Sequence, residues 1–244
     1  MQNPLNKGAC SCMKVSVEFF HDVLCAWCYC LSPRMRRMVS KYPELEVVHR
    51  CFALAPRPES IEEIFGNKAK GKHEILNHWR AANLNDDEHR INADLMAARD
   101  FDYPYSMPGL RACKAAELQR GQSGHWDMFD RVQKAHLTEC RNIADENVLI
   151  DCAKDIGLDA DRFVSDFMSQ TVLDLVWKDL REAAKLGVHA VPTLVINRRY
   201  AVVGAVQEDV LDLLFEQVVE TGEVLTRVPG VVSIVGDGDG WRIT

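Results

Sequence analysis

One short motif sets the terms for this chain: Cys25-Ala26-Trp27-Cys28, placed where a strand pattern gives way to a helical one. Upstream, Lys14 to Phe20 alternates Val15, Val17 and Phe19 with Ser16 and Glu18, the period of a half-buried strand. Downstream, a helical pattern runs from about Cys28 to Tyr42 and is closed by Pro43. Leu45 to Leu54 is then apolar and β-branched enough for a second strand. The three segments read as a β-α-β unit, which favours two parallel strands and a right-handed crossover. A dithiol at the start of that helix meets unpaired backbone N–H groups and the positive end of the helix dipole, and both stabilise a thiolate at Cys25. Two intervening residues in the first turn bring the sulfurs within bonding reach, so Cys28 can attack a mixed disulfide formed at Cys25. A C-x-x-C alone is a moderate signal; at the strand-to-helix junction of a β-α-β unit it is a strong one.

From Pro58 to about Ser169 strand signals vanish. Helical periodicity covers Ile61 to Phe65, His73 to Ala82, Asp87 to Arg99, Leu110 to Arg120, Trp126 to Thr138, Glu146 to Ile156 and Ala160 to Met168. Asn85, Asp145 and Asp159 are placed to cap helix starts and Gly157 to end one. A further helix, Thr171 to Leu186, leads into the strand of Val191-Pro192-Thr193-Leu194-Val195-Ile196-Asn197. Tyr200 to Val203 is another strand, Gln207 to Val219 a last helix, and Val231 to Thr244 a hairpin around the glycines at 236–240. The predicted class is therefore α/β with a large all-helical insertion and a C-terminal β-hairpin extension. Its divisions are 13–57 and 170–220 for the two halves of one sheet domain, 58–169 for a helical lobe and 221–244 for the extension. Because both ends of the lobe join the sheet portion, the lobe is expected to cap the C-x-x-C end. The loop containing Tyr103, Pro104, Tyr105, Met107 and Pro108 is its candidate groove lining.

The segments VEFFHDVLCAWC and GVHAVPTLVINRRYAVVGAVQ, with the helical stretch LTECRNIADENVLIDCAKDIGLDADRF between them, resemble the DsbA superfamily, and within it the FrnE-like cytoplasmic branch. The resemblance runs from about Lys14 to Val219. It implies a thioredoxin fold, a thiol–disulfide oxidoreductase or isomerase activity, Cys25 as nucleophile and Cys28 as resolving thiol. It also implies a cis Val191-Pro192 bond beside the thiol, with Val191 and Pro192 touching substrate. Ala-Trp stands where this branch commonly has a pair that begins with proline. Trp27 is a candidate for packing on substrate or for shielding the disulfide. The same fold hosts glutathione-dependent isomerases and kappa-class glutathione transferases, which resemble this chain in their helical insert but carry serine at the position of Cys25.

Composition narrows the classes. A formal net charge of −7 is wrong for a nucleic-acid surface, and the one basic cluster, Arg34, Arg36 and Arg37, reads as a solvated helix face. No apolar run approaches the ~20 residues of a membrane helix, and Met1 to Met13 shows no secretory apolar region. The expectation is a cytoplasmic protein acting on protein or small-molecule disulfides and dithiols. It would need no cofactor beyond its own Cys25–Cys28 disulfide, with glutathione as a possible co-substrate. Nine cysteines cannot all pair internally. Cys30, Cys51, Cys113 and Cys152 read as buried small hydrophobes, and Cys140, in a loop between lobe helices, as a possible accessory thiol. Cys10 and Cys12 form a C-x-C in the N-terminal tail. A zinc site built from them and Cys25/Cys28 is the third functional alternative, but it would join pairs at opposite ends of the sheet, and no metal is assigned. His21 reads as a surface histidine at the strand end.

Overall fold

The alternation along β1 (Val15–His21) places Val15, Val17 and Phe19 in the main core and Phe20 in a smaller second core on the other face of the sheet. The structure is a computed structural model and describes residues 14–237 and 240–243. The Cys10–Cys12 pair and the hairpin tip at 238–239 lie outside the described residues. The chain turns into α1 (Ala26–Lys41) and returns through β2 (Leu45–Cys51) parallel to β1, with Phe19 opposite His49 and His21 opposite Cys51. The helical stretch follows as α2 (Ser60–Phe65), α3 (Lys68–Asn85), α4 (Ala93–Ala97), α5 (Ser106–Gln133) with a π-helical turn at Lys134–Thr138, α6 (Glu146–Asp155) and α7 (Ala160–Met168). Then α8 (Gln170–Lys185) leads into β3 (Thr193–Ile196), antiparallel to β1, and on to β4 (Tyr200–Val203) and α9 (Glu208–Thr221). β5 (Val231–Asp237) and β6 (Gly240–Ile243) pair antiparallel as the expected hairpin and complete a six-stranded sheet of order β2-β1-β3-β4-β5-β6.

Two helical expectations are corrected. Residues 87–92 are not helical, and within Asp87–Arg99 only Ala93–Ala97 forms a helix. Asn85 ends α3 instead of capping a new helix. The cause is side-chain competition for backbone donors: the Asp86 carboxylate accepts from Arg90 N at 2.7 Å and Asn92 Oδ1 from Leu95 N at 3.0 Å, which holds this stretch as a turn before α4. The two helices expected between Leu110 and Thr138 form one long element with a break, where Arg120 leaves helical geometry and Gly121 takes φ +62. That left-handed step is free for glycine and strained for other residues. It re-aims the second half of α5, so that His125, Phe129 and Gln133, one turn apart, face β1 and the loop after it. Asp145 and Asp159 cap α6 and α7 as expected, and Gly157 has φ +73.

The solvated reading of the basic cluster is corrected at Arg34 and holds at Arg37, which is exposed. Arg34 is fully buried, and Arg36 and Arg37 are engaged in ion pairs with Asp127 and Asp130 and with Asp87 and Glu208. A sequence window cannot see acceptors that arrive from 50 to 170 residues away.

Candidate active site

Cys25 is the N-cap of α1, in extended conformation (φ −79, ψ 106), and its Sγ accepts the Cys28 backbone N–H at 3.2 Å. The thiol also donates to the Val191 carbonyl at 3.4 Å. The sulfur therefore sits between a donor suited to its thiolate and an acceptor suited to its thiol. The dipole of the 16-residue α1 adds to the first. Val191-Pro192 is cis, and Pro192 is buried beneath Val191 at the start of β3. Cys28 is fully buried one turn further in. Burial pushes its thiol well above the usual range, and the neighbouring Cys25 and the negative charge of Asp22 push in the same direction. Both cysteines are free thiols.

Asp22, three residues before Cys25, is a buried carboxylate beside the C-x-x-C that the sequence did not single out, although its place in D-x-x-C was visible. Its carboxylate accepts Leu24 N at 3.0 Å, Leu54 N at 2.6 Å and the Ser106 hydroxyl at 2.7 Å. One buried side chain thus ties the C-x-x-C loop to the segment after β2 and to the start of α5. Burial raises its carboxyl from the usual range to about 6, against the pull of those hydrogen bonds. From the other side Gln133 Nε2 donates to Cys25 O at 2.9 Å, a contact nothing in the local sequence announces. The close approach of α5 has a sequence cause at Gly109, where a Cβ would stand 2.6 Å from Val23 Cγ2.

A groove of about 350 Å³ opens beside the sulfur, lined by Cys25, Trp27 and Val191 on one side and by Ile61, Ile64, Phe65, Trp79 and Tyr103 of the lobe on the other. Cys25 is 5% exposed and reaches solvent through this groove. The rim is apolar and open: Ile64 is 59% and Leu54 43% exposed. Of the loop from Tyr103 to Pro108, Tyr103 lines the groove, whereas Tyr105 is the N-cap of α5. The Tyr103 hydroxyl is fixed by Trp79 Nε1 at 3.1 Å and His136 Nε2 at 3.0 Å, and burial lowers His136 to about 3, so its ring is neutral.

The structure brings Cys25, Cys28, Trp27, Val191 and Pro192 together. It does not bring Cys140 to them. That thiol is buried, donates to Asn92 O at 3.2 Å and is raised by burial. Cys30 donates to Ala26 O and Ala82 O, and burial pushes its thiol up to about 12. Cys51, Cys113 and Cys152 are core residues. The expectation for His21 is overturned: it is fully buried, its ring 3.8 Å from that of Phe129. The strand end that looked exposed is covered by the second half of α5.

Residues 16–216 match the family model of the DSBA-like thioredoxin domain. ClpXP adapter protein SpxH of Bacillus subtilis (strain 168) is 29% identical over 182 residues, covering 74% of this chain and 57% of that protein. The chain thus spans little more than half the length of the curated relatives it matches first. Among solved structures, a probable DsbA oxidoreductase from Streptomyces coelicolor superposes with a TM-score of 0.67 at 24% identity, over 94% of this chain and 99% of that one. The cytosolic disulfide reductase DsbM from Pseudomonas aeruginosa, with GSH, does so with 0.59 at 23%, over 75% and 87%. At these identities the likeness is one of fold. Among the described residues no helix is long and apolar enough to cross a membrane.

Proposed function

Because the chain belongs to the DSBA-like thioredoxin domain family, we propose that it is a thiol–disulfide oxidoreductase whose Cys25 thiolate attacks disulfides presented in the apolar groove and whose Cys28 resolves them. The observation that carries this reading is the Cys25 sulfur itself, capped by the Cys28 N–H, facing the Val191 carbonyl and lining the groove.

In the reducing direction, Cys25 S⁻ bonds to one sulfur of the substrate disulfide and the other leaves as thiolate. Cys28, giving up its proton, then bonds to Cys25 Sγ and expels the first substrate sulfur as a second thiolate. The enzyme is left as a Cys25–Cys28 disulfide and the substrate as a dithiol. Two glutathione thiols, oxidised to glutathione disulfide, or another dithiol, return the enzyme to its reduced form. In a cytoplasmic, reducing setting the flux runs toward reduction or isomerisation. Asp22, whose carboxyl burial raises to about 6 and whose negative charge acts on the Cys28 thiol, is the candidate acid–base group for the Cys28 proton. The Val191 carbonyl and Trp27 hold an extended peptide against the sulfur, and Ile64 and Leu54 meet its apolar side chains. The presence of two thiols favours exchange over the glutathione-isomerase and transferase reactions of the same fold.

The test is equilibration of the full chain with mixtures of reduced and oxidised glutathione, followed by alkylation and mass spectrometry. Cys25 and Cys28 should pass together from two alkylated thiols to one disulfide, and the protein should catalyse reduction of a peptide disulfide by glutathione. A protein whose Cys25 and Cys28 stay alkylatable across the series, or that turns over no disulfide, defeats the reading and leaves a binding role of the kind the SpxH relatives are named for. Ile64→Asp puts a charge on the apolar rim. It should lower kcat/KM for peptides with apolar residues beside the disulfide by ~10-fold, the worth of about 1.4 kcal/mol of lost burial. Cys25 alkylation should be unchanged. Equal loss for polar and apolar peptides would remove Ile64 from substrate selection.

A further inference from the structure

Behind the sheet face that carries the active-site loop lies a cluster the redox chemistry does not use. His21 at the end of β1, His49 on the adjacent β2 and His125 on the second half of α5 are each fully buried, and one ring nitrogen of each lies within 4.8 Å of the others. The strand register explains the first two. His49 faces Phe19 and His21 faces Cys51, so the histidines are diagonal neighbours on one face of two parallel strands. The break at Arg120–Gly121 explains the third, since it turns α5 so that His125 comes over them. His49 and His125 stack at 5.2 Å between centroids, and His21 meets His125 edge-on at 5.1 Å.

Stacking on Phe129 and Trp126 accommodates ring faces but not the in-plane nitrogens. Both nitrogens of His21, both of His49 and Nε2 of His125 are buried without a hydrogen-bond partner. Leaving one such group unpaired costs about 1–3 kcal/mol, and folded proteins leave few of them. Here five meet in one place. The sixth nitrogen is held in a telling way: His125 Nδ1 lies 2.7 Å from Glu117 Oε2, which fixes the proton on Nδ1 and leaves the Nε2 lone pair directed into the cluster. A carboxylate behind a histidine is the outer-shell partner that metal-ligating imidazoles ordinarily have. Glu117 is itself fixed by Lys114 at 2.7 Å and Gln122 at 3.1 Å, and Lys114 is also paired with Asp179 at 2.7 Å. Burial holds all three imidazoles below their usual range; repulsion from neighbouring histidines adds to it at His21 and His49, and the Lys114 charge adds to it at all three.

We propose that His21, His49 and His125 form a binding site for one divalent transition-metal ion, zinc-type in chemistry, with Glu117 orienting His125. Three neutral imidazoles suit Zn²⁺ and its neighbours in that row and not Mg²⁺ or Ca²⁺. Closing on zinc at ~2.0–2.1 Å requires the three nitrogens to draw in to about 3.3 Å of one another, with a water in the fourth position. None of the three histidines lines the Cys25 groove, so the ion stands apart from the thiol chemistry. It pins β1, β2 and α5 together directly behind Asp22, and so couples the position of the lobe to that of the C-x-x-C loop.

The test uses the full chain, unfolded with chelator and refolded with Co²⁺ or Zn²⁺. Wild type should take up about one Co²⁺ per chain, with visible ligand-field absorption and no near-ultraviolet thiolate-to-cobalt band. The variant Cys10→Ser/Cys12→Ser/Cys25→Ser/Cys28→Ser should bind equally well. Glu117→Gln should weaken binding by ~10–100-fold, and His49→Gln by more. Failure of wild type to bind Co²⁺ overturns the site, as does a thiolate band, or uptake that disappears in the cysteine variant. Equal affinity in a His49→Gln protein that folds by circular dichroism also overturns it. Should His49→Gln not fold, the wild-type spectrum decides alone.

Discussion

Replacing Cys25 with serine lowers disulfide-exchange turnover on the order of 10³-fold or more, because a neutral hydroxyl takes the place of the thiol the groove presents. Cys28→Ser has a different signature. The first attack survives, since Cys25 still has the backbone N–H of residue 28 and the α1 dipole behind its sulfur. Resolution does not, and the protein accumulates as a mixed disulfide with its substrate. Nonreducing mass spectrometry after a single turnover separates the two outcomes, with no adduct for Cys25→Ser and a near-stoichiometric one for Cys28→Ser. The wild-type resolving rate should rise as pH passes through about 6, where Asp22 ionises and can accept the Cys28 proton. Asp22→Asn should flatten that rise without blocking adduct formation. Product release by Cys28→Ser at the parental rate would mean that another thiol resolves. Cys30 and Cys140 are poor candidates, since each is buried, donates to a backbone carbonyl and is not among the groove-lining residues. The same buried Asp22 makes a contribution to stability that is full below about pH 4 and is lost as pH rises through about 6, because its folded-state pKa lies above its unfolded one.

What could be read in advance was whatever depends on neighbours in the chain. The β-α-β unit follows from alternation at Val15, Val17 and Phe19 and from the helical period after Cys28, and the dithiol's place at the helix start follows from their junction. Tyr200–Val203 and Ala160–Met168 stood out for the same reason, as short segments with a clean period and firm boundaries. The groove did not stand out in this way, because Trp27, Ile64, Trp79, Tyr103 and Val191 come from five stretches and share no local pattern. Nor did the burial of His21, which depends on a helix more than 100 residues later that is bent toward it at Gly121. Composition misleads most where a charged side chain finds distant partners. Residues 87–92 look helical until Asp86 and Asn92 turn their side chains to the backbone, and Arg34 looks solvated until its acceptors are known.

Arg34→Ala should destabilise the protein by about 3–5 kcal/mol, the cost of removing one member of a buried charged network. The guanidinium is fully buried and uses its whole fork. Nε and Nη2 grip the Asp87 carboxylate, Nη1 donates to Asn85 Oδ1 at 3.1 Å, to Ala205 O at 3.2 Å and to Val206 O at 2.9 Å, and Nη2 also reaches Asn85 O. One residue of α1 thereby joins the end of α3 in the lobe to the loop between β4 and α9. Asp87 retains Arg37 at 2.7 Å after the change, so the loss falls on the carbonyls of Asn85, Ala205 and Val206 and on the vacated volume. For a chain of this size the melting temperature should drop by roughly 6–20 °C. Arg34→Lys should recover only part of this, because an ammonium offers three donors without the planar fork. Hydrogen exchange should quicken at 85–91 and 204–207 in the alanine variant before it does so in β1. A loss below ~1 kcal/mol by urea titration, in the range of an exposed ion pair, would show that these contacts are replaceable by water. Since α1 also begins at Cys25, a loosened Arg34 should widen the groove. Cys25 alkylation in Arg34→Ala should then run faster than in wild type at a temperature where both are folded, and an unchanged rate would confine Arg34 to stability.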